Sequence, residues 1–201
     1  MNGKQRIALI SPLILTGCMV LVFQLSARAF GERLGWYIGL IIYWLLWGAV
    51  YPWLMVGLKS IRHLIRPQKL TIKIFFFVLF PLLMAAGYRF VPGMEYQKPS
   101  VGILILLIST NIGNGFFEEI LWRGVYMTLF PESVMYRIVW PSLWFGVWHY
   151  APGSVSSSGH VIPLMIGACV FGFYLSFLAL KTRTIWWSIV THTVGGFIMI
   201  V

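Results

Sequence analysis

The chain has 201 residues, of which 59% are hydrophobic and only 10% are charged. Soluble domains are about one-quarter charged, so this composition excludes soluble globular, disordered and collagen-like proteins. The formal charge of +10 would indicate nucleic-acid binding in a soluble protein, but in so apolar a chain a membrane topology explains it. We therefore expect one integral-membrane domain over residues 1–201 and no nucleic-acid partner.

The apolar segments predict an all-α fold, because a helix that spans a bilayer needs about 20 largely apolar residues. The seven candidates for transmembrane helices, with an eighth as the alternative, are 7–27, 35–58, 74–92, 101–130, 138–152, 161–180 and 184–201. The first apolar run is longer than a signal-peptide core, so we expect it to be retained. The fourth is too long for one straight span, and Asn111 to Gly115 is the expected place for a break.

Basic residues are distributed unequally between the two ends of this predicted bundle. Ten lie at one end (Lys4, Arg6, Lys59, Arg62, Arg66, Lys69, Lys73, Arg137, Lys181 and Arg183) and four at the other (Arg28, Arg33, Arg89 and Lys98). Cytoplasmic loops carry the excess of lysine and arginine. The N-terminus and the 59–73 loop are therefore predicted to be cytoplasmic, in a protein of the cytoplasmic membrane.

Three charged residues lie inside the fourth segment, where each charge costs on the order of 3 kcal/mol on insertion scales. Glu119 and Arg123 are four residues apart, so a helix allows them to form an ion pair. Glu118 is displaced by about 100° from Glu119 and shares a helix face with Asn111 and Asn114. One glutamate thus has a structural partner and the other is free for chemistry.

Two histidines in other segments reach a similar depth. Counted from the cytoplasmic helix ends at about 1.5 Å per residue, Glu118 and His149 lie roughly 18 Å deep and His192 roughly 12 Å deep. We expect these three ionisable groups to converge on one site, which opens toward the cytoplasmic side.

A glutamate and two histidines suit two kinds of chemistry. Glu118 could take a proton from a water that is hydrogen-bonded to His149, while His192 donates to the oxyanion of a scissile carbonyl. Alternatively, the three residues could ligate zinc, with water in the fourth position. The sequence has no His-Glu-x-x-His motif and no aspartate to orient the histidines, so it favours the arrangement without a cofactor, with zinc as the alternative.

The order of these motifs resembles the CAAX protease and bacteriocin-processing family, also called Abi. The motifs are Glu118-Glu119-x-x-x-Arg123, Phe145-x-x-x-His149 and a third-motif histidine, His192. The resemblance covers about residues 101–196 and implies a multi-helix intramembrane protease of the glutamic type. It also implies that Glu118 and His149 activate water and that His192 helps to hold the oxyanion.

One position departs from the family pattern, which often has Asn or Asp four residues after the third-motif histidine. This chain has Gly196 there, so the motif does not identify a second oxyanion donor. Asn111 or Asn114, on the face of Glu118, could supply it.

The leading hypothesis is an endopeptidase whose partners are the lipid bilayer and a membrane-associated protein or peptide substrate. Gly196 leaves open a non-catalytic membrane scaffold or regulator on the same fold. A proton-coupled transporter is disfavoured, because the sequence lacks discontinuous repeat halves. Apolar side chains line every span, so no segment identifies a prenyl pocket.

Overall fold

The computed structural model describes residues 1–88, 100–156 and 160–200, which form helices and no strand. The α-helices are α1 (Gly3–Phe30), α2 (Glu32–Tyr43), α3 (Tyr51–Leu64), α4 (Ile72–Tyr88), α5 (Val101–Gly113), α6 (Tyr126–Leu129), α7 (Trp140–Trp148), α8 (Tyr150–Gly153), α9 (Val161–Thr182) and α10 (Trp186–Ile200). Four π-helical segments continue them, at Trp44–Val50, Asn114–Glu118, Ile120–Val125 and Met135–Val139.

The π-helical segments join short α-helices into longer rods, so each of the seven predicted segments corresponds to one helical rod. Four rods are long and apolar enough to cross a membrane: Gly3–Phe30, Glu32–Leu64, Val101–Leu129 and Val161–Thr182. The predicted all-α membrane bundle is therefore confirmed. The predicted end of the third segment at 92 lies outside the described residues, as do Arg89 and Lys98.

The helix break expected at Asn111 to Gly115 is absent. The backbone stays helical through Gly113 and changes to π-helical turns from Asn114 onward. A bilayer offers no water to the backbone, so a change of hydrogen-bond register costs less than a true interruption. The glycines serve close packing instead, since a Cβ at Gly113 would lie 2.5 Å from the Trp44 ring.

The first two rods pack closely and place aromatic rings against the centre of the bundle. A Cβ at Gly35 would overlap the backbone of Ala27, so only glycine lets α2 approach α1 this closely. Phe23 of α1 and Tyr43 of α2 both reach Trp148, and the Tyr43 ring stacks on the indole at 3.8 Å between centroids. The N-terminal half of the chain therefore supports residues of the motif-bearing half.

Hydrogen bonds between helix ends close one end of the bundle, the end from which the 59–73 loop extends. The Ile185 amide donates to the Leu64 carbonyl at 2.9 Å, which joins the start of α10 to the end of α3. The Gln5 side chain donates to the Leu129 carbonyl at 2.7 Å, which joins α1 to α6. These two bonds satisfy the Leu64 and Leu129 carbonyls at the ends of α3 and α6.

Candidate active site

The motif of two glutamates and an arginine lies where the long central rod is π-helical. Glu118 ends the π-helical segment Asn114–Glu118, and Arg123 belongs to the next one, Ile120–Val125. Glu118 is 2% exposed, whereas Glu119 and Arg123 are fully buried. π-Helical turns are rare and occur often at functional sites, because they shift the phase of the side chains that follow. Here they surround all three buried charges.

Glu119 and Arg123 form the ion pair that their spacing predicts. The Arg123 Nη1 atom donates to Glu119 Oε1 at 2.9 Å, and Nη2 donates to the Gly172 carbonyl at 3.0 Å. The guanidinium also lies over the Phe145 ring, 4.4 Å from its centroid. A Cβ at Gly172 would lie 3.2 Å from Nη2, so this glycine lets the backbone of α9 approach the cation. Arg123 thus links three rods.

His192 contacts both glutamates. Its Nδ1 atom lies 2.9 Å from Glu119 Oε1, and its Nε2 atom lies 3.6 Å from Glu118 Oε2. A carboxylate can only accept, so Nδ1 carries the proton in the bond to Glu119. Glu119 therefore orients His192 in addition to pairing with Arg123, a contact that the helical spacing alone did not reveal.

The two carboxylate oxygens of Glu118 have different environments. Oε1 accepts a hydrogen bond from the indole Nε1 of Trp148 at 2.9 Å. Oε2 is buried and has no hydrogen-bond partner within the described ranges. The Trp148 ring is itself held by stacking on Tyr43, whose hydroxyl accepts from Trp122 at 3.1 Å. One oxygen of Glu118 is thus fixed in place while the other is left for a further ligand.

His149 is oriented by the backbone of its own helix. Its Nδ1 atom lies 2.6 Å from the Phe145 carbonyl, so Nδ1 is the donor and Nε2 of the neutral ring carries the lone pair. The Phe145 ring is nearly perpendicular to both histidine rings, with centroid distances of 4.7 Å to His149 and 5.8 Å to His192. Phe145 of the second motif therefore packs against the histidine of the third.

A cavity of about 930 Å³ connects several of the residues that the sequence analysis singled out. Its inner wall is formed by Glu118, Trp148, His149, Asn111, Asn114 and Gly196. The face shared by Glu118 and the two asparagines is therefore the face toward the cavity. His192 lies beside this wall, within 3.6 Å of Glu118, and is not among the lining residues. The predicted convergence of Glu118, His149 and His192 is present in this form.

The cavity continues away from the closed end of the bundle. Its outer lining comes from the turn between α1 and α2, the start of α5 and the turn between α8 and α9, with Glu32, Arg33, Ile103, Gly153, Ser156 and Leu164. The sequence predicted an opening at the end that carries the 59–73 loop. The outer lining residues instead lie at the opposite end of the bundle.

Two residues that support Glu118, Trp148 and Tyr43, belong to none of the three sequence motifs. Trp148 precedes His149 in the chain, and an indole there is equally typical of an interfacial belt. Tyr43 lies 75 positions before Glu118 and reaches the site only because α2 packs against α7. Neither could be selected by periodicity, since both lie in segments that are apolar on every side.

Asn114 lies on the cavity wall and is held by a hydrogen bond to another rod. The amide oxygen of Asn114 accepts from Trp44 Nε1 at 2.9 Å, which ties the first π-helical turn of the motif to the second rod. Within residues 1–88, 100–156 and 160–200, no group of three or more His, Cys, Asp or Glu side chains is arranged to hold a metal ion.

Comparison with known proteins assigns a family to the half of the chain that carries these motifs. Residues 100–198 match the family model described as Rce1-like, type II CAAX prenyl endopeptidase. No curated protein and no solved structure matches the chain.

Removing the Glu119 carboxylate is expected to destabilise the fold. Glu119→Ala leaves the Arg123 guanidinium buried without its counter-charge, and loss of one partner from a buried pair costs about 3–5 kcal/mol. Thermal unfolding in detergent should show a lower midpoint together with lower expression. Glu132→Ala, at an exposed glutamate, serves as the matched control. An unchanged midpoint for Glu119→Ala would contradict the structural role.

The mouth of the cavity and the basic loop are expected on opposite faces of the membrane. Single cysteines at Arg33 and Lys69, in a background without Cys18 and Cys169, should react with an impermeant maleimide from opposite sides. The excess of basic residues predicts that Lys69→Cys is labelled from the cytoplasm. Inverted and right-side-out vesicles provide the comparison, with Lys181→Cys as a second marker of the basic end. Labelling of Arg33→Cys and Lys69→Cys from one side would contradict the direction of the cavity.

Proposed function

We propose, from the premise that the C-terminal half of this chain belongs to the Rce1-like family of CAAX endopeptidases, that Glu118 and His149 activate the water that cleaves the substrate. Family membership and the apolar helices make the chain a membrane-embedded protease of the CAAX type in general. The substrate is then a membrane-associated protein or peptide. What the membership leaves open is which residues perform the hydrolysis.

The environment of Glu118 is the observation that carries the proposal. A buried carboxylate oxygen without a hydrogen bond is costly, and Trp148 satisfies only Oε1. Glu118 and His149 line the same cavity but make no direct hydrogen bond to each other within the described residues. A water molecule between Glu118 Oε2 and His149 Nε2 would satisfy both acceptors with its two protons. That water is the nucleophile in this proposal.

The reaction then follows from these contacts. Glu118 Oε2 takes one proton from the water as the oxygen attacks the scissile carbonyl carbon, while His149 Nε2 accepts a hydrogen bond from the other proton. The carbonyl π bond breaks, and its oxygen becomes an oxyanion. When the tetrahedral intermediate collapses, the C–N bond breaks and Glu118 returns its proton to the leaving amine nitrogen. Atoms and charge balance without a covalent enzyme intermediate.

His192 is assigned to the oxyanion. Its Nδ1 proton is bonded to Glu119, so Nε2 can donate only when the ring is doubly protonated. Two carboxylates face this ring, Glu119 at Nδ1 and Glu118 near Nε2. An imidazolium held in this way, in a site of low dielectric constant, is an effective donor to developing negative charge.

Substitution of Glu118 is expected to abolish cleavage without unfolding the protein. Glu118→Gln keeps an oxygen for Trp148 but removes the base, and general acid–base catalysis contributes about 10²–10⁴ in rate. The assay measures kcat on internally quenched CAAX peptides, with and without a prenyl group, in detergent or liposomes. Glu132→Gln, an exposed glutamate, should retain the wild-type rate. Cleavage by Glu118→Gln at that rate would contradict the mechanism.

A complementation experiment in cells distinguishes an enzyme from a non-catalytic scaffold on the same fold. If a Glu118→Gln/His149→Ala variant restored the phenotype of a deletion strain in full, the function would be non-catalytic. We expect this variant to fail, and a peptidome comparison with and without the gene to show uncleaved substrate.

Chelation is expected to leave the rate unchanged. EDTA or phenanthroline removes a catalytic metal, whereas the proposed water is activated by Glu118 and His149 alone. The same preparation should be examined by elemental analysis and assayed after dialysis. Stoichiometric zinc, with activity that is lost on chelation and restored by zinc, would contradict the metal-free mechanism and make Glu118, His149 and His192 ligands.

A further inference from the structure

We infer that Asn111 supplies a second donor to the oxyanion, from α5, in the space that Gly196 leaves open on α10. This inference rests on the proposed function and adds to it a residue that touches the reacting carbonyl oxygen. Its basis is the relation of Asn111 to a glycine one helical turn beyond His192.

The Asn111 amide occupies the place where a side chain of residue 196 would begin. A Cβ on Gly196 would overlap Asn111 Oδ1 and would lie 3.1 Å from Cγ. The three heavy atoms nearest to this Cβ all belong to Asn111, and the third, the Asn111 Cβ, is 3.8 Å away. The Asn111 side chain is therefore the neighbour that would clash with any larger residue at position 196. The neighbouring Gly195 has room for a Cβ, with Leu82 at 3.8 Å.

The Asn111 amide has one donor proton that no hydrogen bond of the described residues uses. Its Nδ2 atom donates one proton to the Leu107 carbonyl at 2.9 Å, which orients the group. The second proton of Nδ2 has no partner among the residues that the structure describes. Asn111 is 8% exposed and lines the cavity together with Glu118, His149 and Gly196.

Asn114 is the weaker candidate for the same task. Trp44 engages its amide oxygen and fixes the group toward the second rod. No atom of Asn114 is among the three nearest to a Cβ at Gly196, one turn after His192. Asn111, and not Asn114, is therefore the amide that lies against Gly196 of α10. A neutral amide and an imidazolium, supplied by two different helices, would then share the oxyanion.

An exchange of the amide between the two helices tests this assignment. Asn111→Ala should lower kcat about 10²–10³-fold, the usual effect of losing one oxyanion donor, with KM changed by less than about threefold. Gly196→Asn should also lose activity, because its side chain overlaps the Asn111 amide. In Asn111→Ala/Gly196→Asn the two Cβ atoms are 3.8 Å apart, so the amide can project from α10 instead. We expect at least about tenfold recovery over either single variant.

Matched controls keep the test specific. Ser109→Ala removes a polar group that, like Asn111, donates to a carbonyl of its own helix, but Ser109 is exposed away from the cavity. It should keep the wild-type kcat. Gly195→Ala should keep the thermal unfolding midpoint of the wild type, whereas Gly196→Ala should lower it. The double variant Asn111→Ala/Gly196→Ala should regain the wild-type midpoint. This readout does not depend on activity.

The outcomes separate this inference from the proposed function. If the Asn111→Ala variant cleaves the quenched CAAX peptide within about threefold of wild type, while Glu118→Gln is inactive, the assignment of Asn111 is wrong and the mechanism stands. A folded double variant no faster than the single variants would also overturn it. If Glu118→Gln cleaves at the wild-type rate, the proposed function itself is wrong.

Discussion

The hydrogen bonds that converge on Glu119 Oε1 are the interaction on which the rest of the site depends. This one atom accepts from Arg123 of its own rod and from His192 of α10, both at 2.9 Å. A lone buried carboxylate would be strongly destabilising, so its charge must be compensated where it lies. The compensation links α10 to the motif helix and also orients His192.

The adjacent carboxylate has a different set of partners, and that difference separates structure from chemistry. Glu119 is hydrogen-bonded to Arg123 and His192, which carry or can carry positive charge. Glu118 has one neutral donor, Trp148, and a second oxygen left for water. Two identical side chains, consecutive in the sequence, thus acquire distinct environments because helical geometry points them at different neighbours.

Close approach of backbones is the second constraint. In a membrane bundle small residues allow helices to pack at short distance, since no hydrophobic effect drives them together. Gly172 admits the Arg123 guanidinium, and Gly115 accommodates Thr193 beside His192, where a Cβ would overlap the threonine hydroxyl. Gly196 follows the same rule toward Asn111. The glycines of the C-terminal half therefore shape the site as directly as its charged residues do.

The sequence by itself determined the apolar segments, the cost of charges within them and the Glu119–Arg123 pair, because helix length and i, i+4 spacing are local properties. It could not determine which faces of apolar helices meet, since periodicity carries no information where every face is apolar. Only the tertiary structure could therefore bring Trp148 to Glu118, place Asn111 at Gly196 and direct the cavity away from the basic loop. These contacts join residues 30 to 85 positions apart, and helix packing alone decides them.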